Sequence, residues 1–379
     1  MSTILLQNRR GGIRDRFARL HWPLLIMLTL LASVGVITLY SVAEGSWHPW
    51  AMKHGMRFAA SLVILVVMGV IGVRFWMALA YPIYFAALAL LAAVPFIGDV
   101  HMGARRWIDL VGFQFQPSEA MKIGLVMALA RYYHGLRAEQ VSHLLYLIPP
   151  LLMIAAPLGL VFIQPDLGTS LLLGATGVSI MFIAGLSWRI GFLGAIGAGV
   201  AGYAAYYFDY LKPYQLERIT TFLDPERDPL GQGYHLTQSK IALGSGGFDG
   251  KGYMEGSQSQ LKFLPEMHTD FIFTIFGEEF GFVGAIGLLL LYLGVILTGV
   301  SVAARAKNHF ARLTVMGVVV TFSLYVLINT GMVMGLAPVV GVPLPLVSNG
   351  GTVMMTIMAG FGLVMSAHTS RDHDSLSGL

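Results

Sequence analysis

Three ionisable side chains lie close together in the segment 263–273, just before a long apolar run. They are Glu266, His268 and Asp270. A carboxylate at the boundary between lipid and water is partly desolvated, which raises its pKa and suits it to remove a proton from a hydroxyl group. The segment also fits a structural role, because Thr269 or Asp270 can cap the helix that follows. The two roles are compatible, and this is the first candidate for a catalytic site.

A second group of charges lies in the segment 103–122. Arg106 and Trp107 fall in a predicted outer loop, and Glu119 and Lys122 are three residues apart, so they share one face of a helix and can pair. Charges inside a membrane-spanning helix are costly and usually face a cavity or a partner. Two interpretations stay open: an ion pair that joins two helices, or a cavity in which Arg106 and Lys122 bind the phosphate of a lipid headgroup.

Later segments offer further polar candidates. Arg218, Lys240 and Lys262 suit a diphosphate, although solvated loop charge is the default explanation. The segment 338–351 has three prolines and three glycines around Ser348, which predicts a broken or re-entrant segment that lines a cavity. The histidines form no zinc-binding pattern, and no organic cofactor is expected. A divalent cation such as Mg²⁺ or Mn²⁺, held by carboxylates and a diphosphate, stays open.

The elements that position these residues are predicted to be membrane-spanning helices. The 379 residues are 56% hydrophobic and only 12% charged, whereas soluble domains carry roughly 25% charged residues. A soluble protein is therefore excluded. The absence of cysteine excludes disulfides and thiol catalysis, and no basic tract predicts binding to nucleic acid.

Apolar stretches long enough to cross a bilayer occur ten times, which predicts an all-α polytopic membrane protein. The predicted spans lie near 22–43, 55–73, 76–98, 119–134, 145–163, 168–186, 190–210, 271–302, 313–336 and 350–369. With the amino terminus in the cytoplasm, 13 of the 24 basic residues fall in inner segments and four in short outer loops. This bias predicts that both termini are cytoplasmic. The eighth span is longer than one crossing needs.

The whole chain, 1–379, is predicted to form one membrane domain. Within it, residues 211–269 form a large outer loop of 59 residues between the seventh and eighth spans. Proline and glycine divide this loop, which predicts short amphipathic helices and turns. Long polar loops over a membrane core often carry function.

Together these segments resemble the SEDS family of bacterial shape, elongation, division and sporulation proteins, and within it the branch that serves cell elongation. The matching segments are Gly103–Trp107, Gln116–Lys122, Gln164–Ser170, Asp224–Tyr234, Ser257–Phe273 and Gly341–Gly351. They occur in the family's order over nearly the whole chain. Each would be weak alone, and the set is specific.

The resemblance implies a peptidoglycan glycosyltransferase that polymerises lipid II during cell-wall elongation. It implies a multi-pass protein of the bacterial inner membrane. The implied partners are a class B penicillin-binding transpeptidase and other membrane proteins of the elongation complex.

The resemblance also assigns roles to individual residues. The family's essential aspartate falls on Asp270, a candidate general base. The family's glutamate–lysine pair falls on Glu119 and Lys122, its loop arginine and tryptophan on Arg106 and Trp107, and a loop glutamine on Gln215. The family usually has tyrosine where this chain has Asn349.

Two other functions stay open at this stage. A flippase for the lipid-linked precursor would place its site near the bilayer midplane, often between inverted repeats, and no such repeat is evident in the sequence. A non-catalytic scaffold for the elongation complex would tolerate a neutral residue at position 270.

Overall fold

The computed structural model describes residues 13–101, 104–110, 113–208, 210, 213–224, 228, 231–257 and 266–370, and most of this part of the chain is helical. The helices are α1 Ile13–Ala18, α2 Trp22–Val42, α3 Ala51–Val70, α4 Val73–Ile97, α5 Pro117–His134, α6 Leu144–Ile163, α7 Leu167–Ala184, α8 Trp188–Tyr207, α9 Pro213–Leu223, α10 Gln232–Ser245, α11 Ile272–Arg305, α12 His309–Val333 and α13 Gly351–Ser370. The strands are β1 Asp99–His101, β2 Ala104–Leu110 and β3 Phe113–Phe115.

Nine helices of the described chain are long and apolar enough to cross a membrane, judged by length and composition. Their bounds agree with nine of the ten predicted spans to within a few residues. The chain is therefore a multi-pass membrane protein built mainly of helices. The predicted spans are located well because a bilayer requires about 20 consecutive apolar residues in each crossing helix.

The fourth predicted span, 119–134, corresponds to α5, which is not among the nine. It is long enough, but it includes both members of the Glu119–Lys122 pair and has lower overall hydropathy. This helix is nonetheless one of the most buried elements, since α4, α6, α7 and α12 all pack against it. Its polar residues therefore face protein, as expected for charged residues within a helix bundle.

A small antiparallel sheet follows α4, in the order β1-β2-β3. In its second ladder Ile108 pairs with Phe115 and Leu110 pairs with Phe113. The prediction of an all-α chain is therefore wrong for this segment. Apolar and polar residues alternate in Phe113–Phe115, which is the pattern of a strand, but the run is too short to be recognised alone.

Helix α11 is interrupted near its start. Gly281 has φ 62° and ψ −164°, so two helical segments meet there at a kink. The loop after α10 wraps this break: Phe282 N donates to Gly247 O at 3.0 Å, and Val283 N donates to Phe248 O at 3.2 Å. The predicted eighth span is thus a short helix and a long helix, which accounts for its excess length.

The segment between α12 and α13 is irregular and largely buried. Gly341 and Leu346 adopt positive φ, and Tyr292 donates a hydrogen bond to Pro345 O at 2.6 Å. The prediction of a broken segment in 338–351 is confirmed. The following helix, α13, packs along α3 and beside α12, so this segment lies between buried helices.

Candidate active site

A polar cavity of about 730 Å³ lies where these elements meet. Its walls come from β2, β3, α3, α5, α7, α9, α12, the turn before α11, the irregular segment before α13 and the first turn of α13. The ionisable residues in its lining are Arg57, Arg106, Asp109, Glu119, Lys122, Asp166, Arg218, Glu266, His268, Asp270 and Tyr325. Segments distant in the sequence thus converge on one charged cavity.

Asp270 lies in the cavity wall, in the turn that leads into α11. Burial raises the pKa of its carboxyl to about 7; Glu266 also raises it, and Arg218 opposes the shift. No donor among the described residues bonds the carboxylate. The backbone is fixed instead, since Asn329 Nδ2 donates to Asp270 O at 2.8 Å and to Val342 O at 2.7 Å. Asp270 is therefore a base with a pKa near neutral pH, its backbone is held in place, and its carboxylate can accept a proton.

The prediction that Thr269 or Asp270 caps the following helix is wrong. The N-cap of α11 is Phe271, and no side chain bonds to that helix end. The Thr269 hydroxyl turns back to Glu266 Oε2 at 2.9 Å. Neither Glu266 nor Asp270 therefore caps the helix, and both residues line the cavity.

His268 is fixed beside Asp270. Its ring stacks on Trp50, with ring centroids 4.7 Å apart and an interplanar angle of 14°. Burial lowers the pKa of its imidazole, and Glu266 opposes that shift. The His268 carbonyl accepts a hydrogen bond from Asn349 N at 2.9 Å, which joins the turn to the start of α13.

The predicted Glu119–Lys122 pair forms on α5. Lys122 Nζ lies 2.5 Å from Glu119 Oε1, and both side chains are almost fully buried. Tyr325 of α12 completes the cluster, since its hydroxyl contacts Lys122 Nζ and donates to Glu119 Oε2 at 2.8 Å. The first interpretation is confirmed, because the pair joins two helices. The pair also lines the cavity, and phosphate binding there stays a prediction.

Arg106 and Trp107 of β2 also line the cavity. The Arg106 guanidinium donates to Gln164 O at 3.2 Å and to Pro165 O at 2.5 Å, and it lies 3.9 Å from Asp166 Oδ2. Asp166 itself caps α7 by accepting from Thr169 N at 3.1 Å. Arg106 therefore ties the sheet to the α6–α7 corner at the edge of the cavity.

The remaining predicted residues are dispersed. Arg218 of α9 reaches the cavity, whereas Gln215 on the same helix is buried outside its lining. Lys240 of α10 is exposed and passes Gly335 near the end of α12. Ser348 is buried and donates to Thr269 O at 2.6 Å, which braces the Asp270 turn. Lys262 lies outside the described residues.

Sequence analysis missed several residues of this site, among them Tyr325 of the cluster on α5 and α12. Arg57 lies in the second turn of α3 and lines the cavity. Asp166 and Asn329 were also missed. An arginine near the start of an apolar helix and an asparagine within one are unusual in membrane spans, and that is the signal that could have identified Arg57 and Asn329.

The sequence of the chain matches the model of one protein family. The model of the FtsW/RodA/SpoVE family, described as cell cycle proteins, matches residues 17–373. The chain belongs to this family, and the resemblance seen in the sequence is confirmed.

Two curated relatives show the similarity along nearly the whole chain. The chain is 44% identical over 358 residues to the peptidoglycan glycosyltransferase MrdB of Escherichia coli K12, covering 92% of this chain and 93% of that protein. It is 33% identical to the stage V sporulation protein E of Bacillus subtilis, covering 90% and 95% of the two chains.

Solved structures share the fold. A chain from a peptidoglycan synthase complex that coordinates polymerisation and crosslinking superposes with a TM-score of 0.82 at 32% identity, covering 93% of this chain and 98% of that chain. The rod-shape-determining protein RodA of Thermus thermophilus superposes with a TM-score of 0.70 at 28% identity, covering 93% and 97%.

Proposed function

We propose a mechanism for the peptidoglycan glycosyltransferase activity that this chain shares with its named relatives. The chain polymerises a lipid-linked disaccharide, lipid II, into glycan strands, and Asp270 is the general base. The observation that supports this assignment is a cavity-lining carboxylate that has a pKa near 7 and no hydrogen-bond donor in the described chain.

The reaction joins two sugars with inversion at one carbon. The 4-hydroxyl oxygen of the acceptor sugar attacks the anomeric carbon of the donor, and the bond from that carbon to the lipid diphosphate breaks. The hydroxyl proton passes to the Asp270 carboxylate, and the diphosphate leaves with the bonding electron pair. General base catalysis of this kind typically contributes 10²–10⁴-fold to the rate.

The departing diphosphate needs positive charge close to the reacting carbon. Arg218 lines the same cavity as Asp270, and its charge acts on that carboxyl. We assign Arg218 to substrate binding together with Lys122, Arg106 and the aromatic face of Trp107. Lys240 lies outside the cavity lining and would meet the sugar or lipid at a greater distance, and Lys262 is proposed for substrate binding from the sequence alone. Mg²⁺ or Mn²⁺, bound mainly by the diphosphate oxygens, would add further charge.

We infer that the chain works as a multi-pass protein of the bacterial inner membrane. In this arrangement α5 is the tenth span, both termini are cytoplasmic and the 211–269 loop is periplasmic. The partner would be a class B penicillin-binding transpeptidase. The similar chain in a complex that coordinates polymerisation with crosslinking supports this pairing, and other elongation-complex membrane proteins would join it.

The function is tested with purified protein, its transpeptidase partner and fluorescent lipid II, with crosslinking blocked by a β-lactam. We expect glycan strands on a gel, which would distinguish a polymerase from a scaffold. The same protein in lipid vesicles tests transport. Precursor that crosses the bilayer without polymer formation would contradict the proposal and favour the flippase.

A further inference from the structure

We infer that Arg57, Thr352 and the first turn of α13 form a binding site for a phosphate group, and that the diphosphate of the lipid-linked substrate occupies it. This inference rests on the proposed function, since it names where that substrate's charged group is bound.

Arg57 differs in its contacts from two other cations of the cavity. Arg106 lies beside Asp166, and Lys122 lies beside Glu119. Arg57 Nη1 donates instead to a neutral acceptor, Asn349 Oδ1, at 2.9 Å, and no carboxylate of the described chain pairs with it. Within the described part of the chain no ion pair therefore compensates its positive charge, and a half-buried arginine suits the planar, bidentate recognition of a phosphate.

Thr352 is the second residue of α13 and is one of the residues that line the cavity. The residue is only 4% exposed, and its hydroxyl has no hydrogen-bond partner within the described chain. A buried hydroxyl without a partner is costly, so such groups are rare and usually have a reason. A ligand oxygen in the cavity would supply the missing partner.

The start of α13 adds backbone donors at the same place. The first amides of a helix have no intrahelical acceptor, and the helix dipole places positive charge there. Gly350 and Gly351 precede Thr352, so these positions carry no side chain of their own that would cover the backbone amides. Arg57 packs on this turn, because its Nε would lie 3.0 Å from a Cβ at position 351.

Asn349 connects this site to the catalytic turn. Its side-chain oxygen accepts from Arg57, and its backbone amide donates to His268 O at 2.9 Å. Asn349 is therefore a positioning residue that orients the guanidinium. Asp270 lies two residues beyond His268, so a phosphate bound here is close to the base, as the leaving group of the reaction must be.

Equilibrium binding of farnesyl diphosphate to the detergent-purified full chain tests the site without requiring turnover. Loss of one charged hydrogen-bonding group typically weakens binding by about tenfold or more. We therefore expect R57A to weaken binding at least tenfold and R57K to recover part of it. T352V should weaken binding severalfold, because it removes the hydroxyl and keeps the side-chain shape.

Each variant has a matched control. Lys53 lies one turn before Arg57 on α3, is exposed and is absent from the cavity lining, so K53A removes a cation of the same helix. Thr314 is also buried with an unpartnered hydroxyl, on α12 and away from the cavity. K53A and T314V should bind the probe as the wild type does, and thermal unfolding checks that all variants are folded.

Unchanged affinity in both R57A and T352V would overturn the inference. Equal displacement of the probe by phosphatidylglycerol would also overturn it, because the site would then bind any lipid phosphate. Weaker binding in both variants, with no displacement by phosphatidylglycerol, supports it. If only the inference is wrong, the wild type still polymerises lipid II although binding of the probe does not depend on Arg57. If the proposed function is wrong, binding of the probe depends on Arg57 but no polymer forms.

Discussion

At the scale of single residues, Asp270 combines a fixed backbone with a carboxylate that retains its proton to an unusually high pH. Burial is the main cause of its raised pKa, Glu266 adds to it, and Arg218 limits it. A base must be ionised to accept a proton. The balance of these charges therefore sets the pH range in which the site works.

The first prediction concerns the pH dependence of polymerisation. Because the pKa of Asp270 is about 7, the rate should rise through that pH and level off above about pH 8. In Glu266→Gln the neighbouring negative charge is absent, so the rise should move to lower pH. Initial rates measured from pH 5.5 to 9 test this. A profile that is identical in the variant would contradict the electrostatic account.

The second prediction concerns stability. The folded-state pKa of Asp270 lies above its ordinary value of 3.8, so the folded protein binds more protons than the unfolded chain between about pH 4 and pH 7. Its stability contribution therefore falls as pH rises through that window and is constant above it. Asp270→Asn removes the charge. Its melting temperature should exceed that of the wild type more at pH 8 than at pH 5, and an equal difference at both would argue against the raised pKa.

At the scale of elements, the buried cluster of Glu119, Lys122 and Tyr325 joins α5 to α12. Breaking a buried ion pair by removing one partner typically costs about 3–5 kcal/mol, whereas neutral replacement of both is often tolerated. We predict that Lys122→Met strongly lowers the melting temperature and that the double variant with Glu119→Gln recovers most of the loss. If the double variant is as unstable as the single one, packing and not charge holds these helices.

The break in α11 gives a further prediction at this scale. Gly281 adopts a backbone conformation that is essentially restricted to glycine, and its Cα faces the backbone of the 248–250 loop. Gly281→Ala should destabilise the protein by about 1–3 kcal/mol. Gly287 lies on the same helix with open space around it, so Gly287→Ala is the control and should unfold like the wild type. Equal melting temperatures for both variants would contradict the role of the break.

The elements also show what a sequence can and cannot predict. Spans follow from a physical requirement on length and hydropathy, so their positions were predictable, and the Glu266–Asp270 turn was found because its charges are neighbours in the chain. The contact between Arg57 and Asn349 joins residues 292 positions apart, and no local pattern reports it. The sheet was missed because its strands are too short to be recognised alone. The Gly281 break was missed because it depends on contact with the backbone of residues 247–250.

At the scale of the whole molecule, the prediction is a topology in which Lys53 and Arg189 lie on opposite sides of the membrane. The chain contains no cysteine, so a thiol reagent would label only a cysteine that is introduced. A membrane-impermeant maleimide should label Lys53→Cys in intact spheroplasts. It should label Arg189→Cys only after the membrane is opened. The reverse pattern would invert the proposed orientation and place the cavity toward the cytoplasm.

The proposed function of the whole molecule depends on one step, in which the Asp270 carboxylate removes a proton during glycan polymerisation. The most direct measurement is the polymerisation rate of Asp270→Asn, with its transpeptidase partner bound, against wild type and Asp249→Asn, an exposed acid outside the cavity lining. We predict that Asp270→Asn is slower by roughly 10²–10⁴-fold and that Asp249→Asn matches the wild type. A folded, partner-bound Asp270→Asn variant that polymerises at the wild-type rate would contradict the account.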